Sequence, residues 1–156
     1  MNRESRSRIL IVDDAPENLQ VLVEALRGIY SVIVAKSGFK ALELALLVPP
    51  PDLILLDIMM PEMDGFEVCR RLQEDPRTRS IPVLFITALH DEESENRGLT
   101  LGAVDFITKP FNPQLVKARV RTQLELKRLR ERVRRFLDED RGGSEAGIAP
   151  ESHQGG

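Results

Sequence analysis

The sequence predicts an α/β domain in which five parallel strands form one sheet with helices on both faces. Two observations predict it. Five short apolar runs each precede a segment with helical apolar spacing, and strands alternating with helices of about 10–15 residues build parallel βαβ units. The runs are also apolar almost throughout, as strands covered on both faces are.

Taken in order, the first strand is Arg8 to Val12, and it ends against Asp13 and Asp14. Pro16 suits the first turn of a helix, where its missing N–H costs nothing. Leu19, Leu22, Val23 and Leu26 then share one helical face. Tyr30 to Ala35 is rich in β-branched residues and predicts a strand. Gly38 to Leu47 predicts a helix, stopped by Pro49-Pro50-Pro51. Leu53 to Asp57 is a buried strand ending in an acid. Asp64 to Glu74 is a helix whose apolar stripe is Phe66, Val68, Cys69 and Leu72. Pro82 to Thr87 is a strand with its proline at the start, where proline is tolerated. Asp91 to Leu101 is a polar, weakly patterned helix. Val104 to Thr108 is the last strand, followed by Lys109-Pro110, and a long helix begins at Asn112.

The chain of 156 residues suits a single domain. Its one cysteine, Cys69, excludes a disulfide framework. The first apolar run is too short for a secretory signal, and none approaches the ~20 residues of a membrane span. A cytoplasmic protein is the expectation. The net charge of −3 hides an asymmetry: Lys117 to Arg135 holds nine Lys/Arg against two Glu, a net of +7 that leaves −10 elsewhere. So acidic a body binds nucleic acid poorly and suits cations and basic partners. Asp138 to Gly156, with His153, holds five of the ten glycines and almost no bulky apolar residue. That composition predicts a disordered tail. The expected organisation is a leader over residues 1–7, a domain over 8–125, a helical extension over 126–137 and the tail over 138–156.

In open parallel sheets, ligands bind beyond the carboxyl ends of the strands. There the sequence places Asp13 and Asp14, Asp57, Thr87 and Lys109. Three clustered carboxylates repel one another and raise their own pKa values unless countered. Mg²⁺ is a natural counter-charge, since it takes oxygen ligands from one or two carboxylates, water and phosphate. A carboxylate also serves as nucleophile in forming an aspartyl phosphate. The lysine and the metal would offset charge on a transferring phosphoryl group, and the threonine hydroxyl could donate to it. Each residue alone has a plainer reading: Asp13, Asp14 or Thr87 as a helix cap, Asp57 as a turn residue, Lys109 as a solvated loop cation. Their joint placement at four strand ends favours a Mg²⁺-dependent phosphoryl-accepting site.

These residues carry a family resemblance. Asp13-Asp14, Leu55-Leu56-Asp57-Ile58-Met59-Met60-Pro61-Glu62-Met63-Asp64-Gly65, Phe85-Ile86-Thr87-Ala88 and Asp105-Phe106-Ile107-Thr108-Lys109-Pro110-Phe111 resemble the markers of the receiver domain of bacterial two-component response regulators. The resemblance covers about Arg8 to Arg121. It implies a flavodoxin-like, doubly wound (βα)5 sheet in the order 2-1-3-4-5, here with an extended C-terminal helix. It implies phosphorylation of Asp57 by a histidine kinase or histidine phosphotransfer protein. Metal ligation falls to Asp14 directly, Asp13 through water, Asp57, and the backbone carbonyl of Met59, with Mg²⁺ or Mn²⁺ as the ion. Thr87 would be the switch hydroxyl, Phe106 the aromatic that moves inward with it, and Lys109 the partner of the phosphoryl oxygens. On its strand, Phe106 also reads as plain core. Lys109–Pro110 would be cis. Pro61 and Gly65 would shape the loop rather than do chemistry. The family often carries water-positioning polar residues where this chain has Met59 and Leu89, which implies slow self-dephosphorylation. The chemistry would be self-directed switching, not turnover of external metabolites. Two alternatives are a Mg²⁺-dependent phosphohydrolase with an aspartyl nucleophile, which wants an acid where Met59 stands, and a pseudo-receiver acting only by protein contact.

Beyond Glu125 the pattern runs on. Leu126, Leu129, Val133 and Phe136 are spaced three, four and three apart, a seam of about two heptads. Lys127, Arg128, Arg130, Arg132, Arg134 and Arg135 flank it, and their mutual repulsion would oppose a parallel dimer. The readings are a dimerising signalling helix leading to an output domain, a solvated amphipathic extension, or a basic arm for nucleic acid or an anionic membrane. No aromatic interleaving supports the third. A homodimer would use either this helix or the face of the fourth helix, fifth strand and fifth helix. The Asp13-Asp14-Ala15-Pro16-Glu17-Asn18-Leu19 start and the run Ala118 to Leu126 are typical of receivers linked to cyclic-di-GMP enzymes or hybrid kinases. Nothing after Arg135 is expected to fold as an output domain, so the chain is either stand-alone or cut in a linker.

Overall fold

In the computed structural model the described residues are 6–89 and 91–148, with side chains described as far as residue 140. Strands β1 (Arg8–Val12), β2 (Ser31–Ala35), β3 (Leu53–Leu56), β4 (Val83–Thr87) and β5 (Asp105–Thr108) alternate with helices α1 (Pro16–Leu26), α2 (Gly38–Leu44), α3 (Gly65–Glu74), α4 (Glu92–Thr100) and α5 (Pro113–Ile148). The sheet is parallel in the order β2-β1-β3-β4-β5. This is the flavodoxin-like order expected from the sequence. The chain steps one way from β1 to β2 and the other way thereafter, so right-handed crossovers put α1 opposite α2, α3 and α4.

Register decides which side chains make the core. Leu10, Ile54 and Val83 lie abreast, as do Val12, Leu56 and Phe85. All six face the layer that also holds Ala41, Met63, Phe66, Val68, Cys69 and Leu72. The alternate residues Ile9, Ile11, Leu53, Leu55 and Leu84 are equally buried, because successive strand side chains point to opposite faces. A sheet covered on both sides therefore explains the unbroken apolar runs.

Several element ends differ from the sequence pattern for local reasons. α2 stops at Leu44, and Leu46 and Leu47 are exposed. Val48 precedes Pro49, a position that disfavours helical backbone, so the turn must open before the prolines. Pro82 lies outside β4 yet its carbonyl still accepts from Ile54 N at 3.0 Å. β2 begins at Ser31 and β5 at Asp105, one residue after the expected starts. α5 continues through Asp138–Ile148, which corrects the expectation of a structureless tail from Asp138. Extending an established helix adds one hydrogen bond per residue without a new nucleation cost. The rest of the expected tail, 149–156, lies outside the described residues, as do residues 1–5. The chain divides into two compact units, 1–123 and 124–156. No described helix is long and apolar enough to cross a membrane.

The turn after β3 is the tightest point of the fold. Gly65 N donates to Ile58 O at 2.7 Å, and a β-carbon at Gly65 would press on the Asp57 carbonyl oxygen and the Ile58 α-carbon. At Gly28 a β-carbon meets nothing within 4 Å. Gly65→Ala is therefore expected to cost about 2–4 kcal/mol, whereas Gly28→Ala should be neutral or stabilising by up to about 1 kcal/mol. Urea denaturation of both variants checks the contrast.

Candidate phosphoacceptor and metal site

Two of the acids at the sheet edge, Asp13 and Asp57, are each held by a backbone bond that prolongs a strand. Asp13 N donates to Ala35 O at 3.2 Å, and Asp57 N to Val12 O at 2.9 Å. Lys109 N donates to Thr87 O at 2.7 Å, tying the end of β4 to the residue after β5. The Lys109–Pro110 bond is cis. The side chains of Asp13, Asp14, Asp57 and Lys109 thus meet on one edge, with Thr87 at the end of the neighbouring strand.

The carboxylates are close and unequally exposed. One oxygen from each of Asp13, Asp14 and Asp57 lies within 4.8 Å of the others, with Asp13 and Asp57 buried and Asp14 exposed. Asp13 Oδ1 accepts from Ala15 N at 2.9 Å and Oδ2 from Lys109 Nζ at 3.1 Å. Lys109 also lies 3.4 Å from Asp57 Oδ2. Asp57 Oδ1 is buried and has no hydrogen-bond partner. A buried polar atom left unpaired is costly and calls for an explanation, and a cation beside the three carboxylates would supply it. Neither Asp13 nor Asp14 caps α1: its N-cap is Ala15, with no side-chain cap bond. The plain capping reading of these acids therefore fails. Asp64 does cap α3, accepting from Glu67 N at 2.9 Å.

The remaining expected residues divide into two groups. Thr87 is fully buried, and its hydroxyl accepts from Leu89 N at 3.2 Å. Met59 sits just past β3 with its side chain 58% exposed, so its side chain is no part of the core. Phe106 is buried, its ring edge-on to Phe85 at 5.8 Å, and Phe85 meets Phe66 at 5.7 Å. Arg97 lies 4.2 Å over the Phe66 ring. Leu126, Leu129, Val133 and Phe136 are all exposed on the second unit, well separated in sequence from the strand ends.

Two contributors escaped sequence reasoning. Gly98 is the one buried residue of α4, and a β-carbon there would meet Phe85 and Phe106. Helical periodicity is read from large apolar residues, so a helix seated on a glycine gives no such signal. Phe66 and Phe85 were read only as stripe and strand residues. Their connection to Phe106 depends on sheet order, which periodicity does not reveal.

An open parallel sheet with three converging carboxylates at its carboxyl edge, a group that could hold a metal ion, defines the class of the domain. The family model described as "Response regulator receiver domain" matches residues 9–121, and the chain belongs to that family. It is 46% identical over 124 residues to the "Probable cyclic di-GMP phosphodiesterase" of Vibrio cholerae, covering 80% of this chain and 28% of that protein. It is 48% identical over 122 residues to Response regulator PleD of Caulobacter vibrioides, covering 78% and 27%. The chain thus spans little more than a quarter of these relatives' length. Among solved structures, a CheY-like response regulator receiver domain protein from Methanospirillum hungatei matches with a TM-score of 0.74 at 26% identity, covering 81% and 99%. The receiver domain of a histidine kinase from Syntrophus aciditrophicus matches with 0.69 at 39% identity, covering 76% and 90%.

Burial, first, and the Asp13 carboxylate, second, push the Asp57 carboxyl up to about 6, against the opposing pull of Lys109 and the Met59 backbone amide. The folded state thus holds this proton more tightly than the unfolded chain, so stability falls as pH rises from about 4 to 6. Above that window the ionised group costs up to about 3 kcal/mol. In EDTA at pH 7.5, Asp57→Asn is expected to raise Tm by several degrees. The gain should shrink toward zero near pH 4. Thermal scans across that pH range test the sign and the window.

Proposed function

We propose that the chain is a phosphoryl-accepting switch: Asp57 takes a phosphoryl group from a histidine kinase or histidine phosphotransfer protein, with Mg²⁺ bound beside it. The observation that carries this reading is the meeting of three carboxylates within 4.8 Å around a single lysine. If all are ionised, the cluster holds two uncompensated negative charges, which one divalent cation cancels. Asp13, Asp14, Asp57 and the Met59 carbonyl would hold the ion, with Mn²⁺ as an oxygen-seeking substitute. Bound there, it supplies charge neutralisation to the attacking carboxylate and the incoming phosphoryl oxygens.

The protein's own groups do the rest. An Asp57 oxygen attacks phosphorus as the phosphorus–nitrogen bond of the donor phosphohistidine breaks. The imidazole leaves with the electron pair, and an acyl phosphate forms. Lys109, already bridging Asp13 and Asp57, turns its ammonium to the phosphoryl oxygens. Thr87 turns its hydroxyl from the Leu89 amide to the same group, and Phe106 follows in its aromatic contact with Phe85. These movements reshape the face of α4, β5 and the first part of α5. That face, or the extended part of α5, would then engage a partner or a second copy. The likeness to a probable cyclic di-GMP phosphodiesterase, of which this chain spans 28%, supports a switch that acts within a longer protein. The role is that of a switch with self-directed chemistry.

Incubation with acetyl phosphate and Mg²⁺ should give a single phosphoryl adduct by intact mass, absent in Asp57→Asn and in EDTA. An adduct that persists in Asp57→Asn would overturn the assignment. Met59 and Leu89 offer the hydrolytic water no polar side chain. Met59→Asn is therefore expected to speed loss of the adduct by about tenfold, roughly 1.4 kcal/mol in barrier. Equal decay rates for the variant and wild type would refute that role for Met59.

A further inference from the structure

The extended part of α5 exposes more apolar surface than any other stretch of comparable length described. Leu126, Leu129, Val133, Phe136 and Leu137 are 41%, 51%, 56%, 67% and 50% exposed. Hollows lie on both sides of the ridge they form. One is lined by Leu126, Leu129, Arg130, Val133, Arg134 and Leu137, and the other by Leu129, Arg132, Val133, Arg135, Phe136 and Glu139. Ridges flanked by side-chain hollows are what knobs-into-holes packing requires.

The heptad positions decide which occupant fits. With Leu126 and Val133 at a, Leu129 and Phe136 fall at d. Lys127, Arg128, Arg134 and Arg135 then fall at b and c, off the a/d seam, with Arg134 and Arg135 lining the hollows beside it. Glu131 falls at f, and its carboxylate takes Lys127 Nζ at 2.6 Å, a half-buried pair within one helix and off the a/d seam. Between the first and last layers the seam is bordered by Glu125 and Arg132 at g and by Arg130 and Leu137 at e, and the next g residue, Glu139, lines the hollow beside Phe136. In a parallel, in-register pair each g residue faces the partner residue five positions on. Glu125 then meets the partner's Arg130, and Arg132 lays its stem beside the partner's Leu137. No like charges meet. The repulsion expected from the count of basic residues is thus removed by their placement. An antiparallel pair using the same four layers would set Arg130 near the partner's Arg130 and Arg132 near the partner's Arg132.

The seam also has ends. One heptad before Leu126 stands Arg119, whose guanidinium is bound to Asp105 at 2.8 Å. One heptad after Val133 stands Asp140, a charge at a core position. Two heptads remain, a length that associates weakly by itself.

We infer that the extended part of α5 pairs with a second copy of this chain as a short, parallel, in-register coiled coil, its register selected by Glu125 facing the partner's Arg130. The inference rests on the self-association reading above and is independent of phosphorylation at Asp57. So short a seam makes association concentration-dependent, and a modest change in its energy shifts the monomer–dimer balance.

Sedimentation equilibrium of the full chain, with and without acetyl phosphate and Mg²⁺, tests it by charge exchange. Glu125→Arg and Arg130→Glu should each weaken the dimer about tenfold, since two pairs per dimer turn from attraction to repulsion. The double variant should return to within about threefold of wild type. Leu129→Asp with Val133→Asp should leave a monomer whose helical circular dichroism is kept. In a Cys69→Ala background, Val133→Cys should oxidise to a disulfide dimer and Glu131→Cys should not. A double charge variant no better than the single ones, a dimer that survives the two aspartates, or a monomer under all conditions would overturn the inference. The same series in Asp57→Asn separates it from the phosphoacceptor reading. Failure of the adduct with the charge pattern kept would condemn that reading alone.

Discussion

Everything at the carboxyl edge of the sheet depends on one electrostatic constraint: two buried carboxylates share one ammonium, with a third carboxylate beside them. Asp13 and Asp57 are almost out of solvent, and Lys109 reaches both. Burial penalises charge, and like charges at this spacing penalise it again. The fold accepts that cost because its backbone leaves the acids no other place. Asp13 and Asp57 each follow a central strand, with their amides bonded into the neighbouring strand. On the proposed reading, a cation or phosphoryl group taken up here would relieve a charge imbalance already present, so little reorganisation would be required at the moment of reaction.

The scaffold around the constraint is correspondingly rigid on one side and lightly held on the other. β3 and β4 are buried throughout, and the turn after β3 tolerates no β-carbon at Gly65. α4 is different. It is polar, rests on Gly98 against the rings of Phe85 and Phe106, and sets Arg97 over Phe66. A helix held by one glycine seat and one cation–π contact of about 1–2 kcal/mol is the element that can yield when the neighbouring strand ends rearrange. On the proposed switching reading, stability and movement thus fall to different parts of the fold.

How much of this was legible in the sequence follows from what each signal measures. Apolar periodicity responds to burial, so it placed all five strands and helices, with errors at ends such as Leu46 and Leu47, where apolar residues are exposed. Strand-end acids were legible because parallel topology converts sequence position into a shared edge. The family resemblance supplied the strand order and the roles of the site residues. Aromatic contacts across α3, β4 and β5 were illegible, since they join residues by sheet neighbourhood. Gly98 was illegible because its function is to lack a side chain. The helical run past Asp138 was missed because composition weighs glycines and ignores the helix already propagating from Pro113.

The site and the extended helix teach the same lesson about charge. Counted along the chain, the helix looks repulsive and the body merely acidic. Resolved by position, four of the six basic residues between Lys127 and Arg135 lie off the a/d seam, and the two that border the seam face a carboxylate and a leucine. In the body, the charges that matter are three acids whose oxygens converge within 4.8 Å, while the acids on α4 lie exposed to solvent. Coulomb energy falls with distance and with the dielectric around each group. Geometry therefore outweighs the totals. A sequence with a net charge of −3 accommodates both a cation-demanding cluster and a basic helix suited to pairing with its own copy, because each problem is settled within a few ångströms.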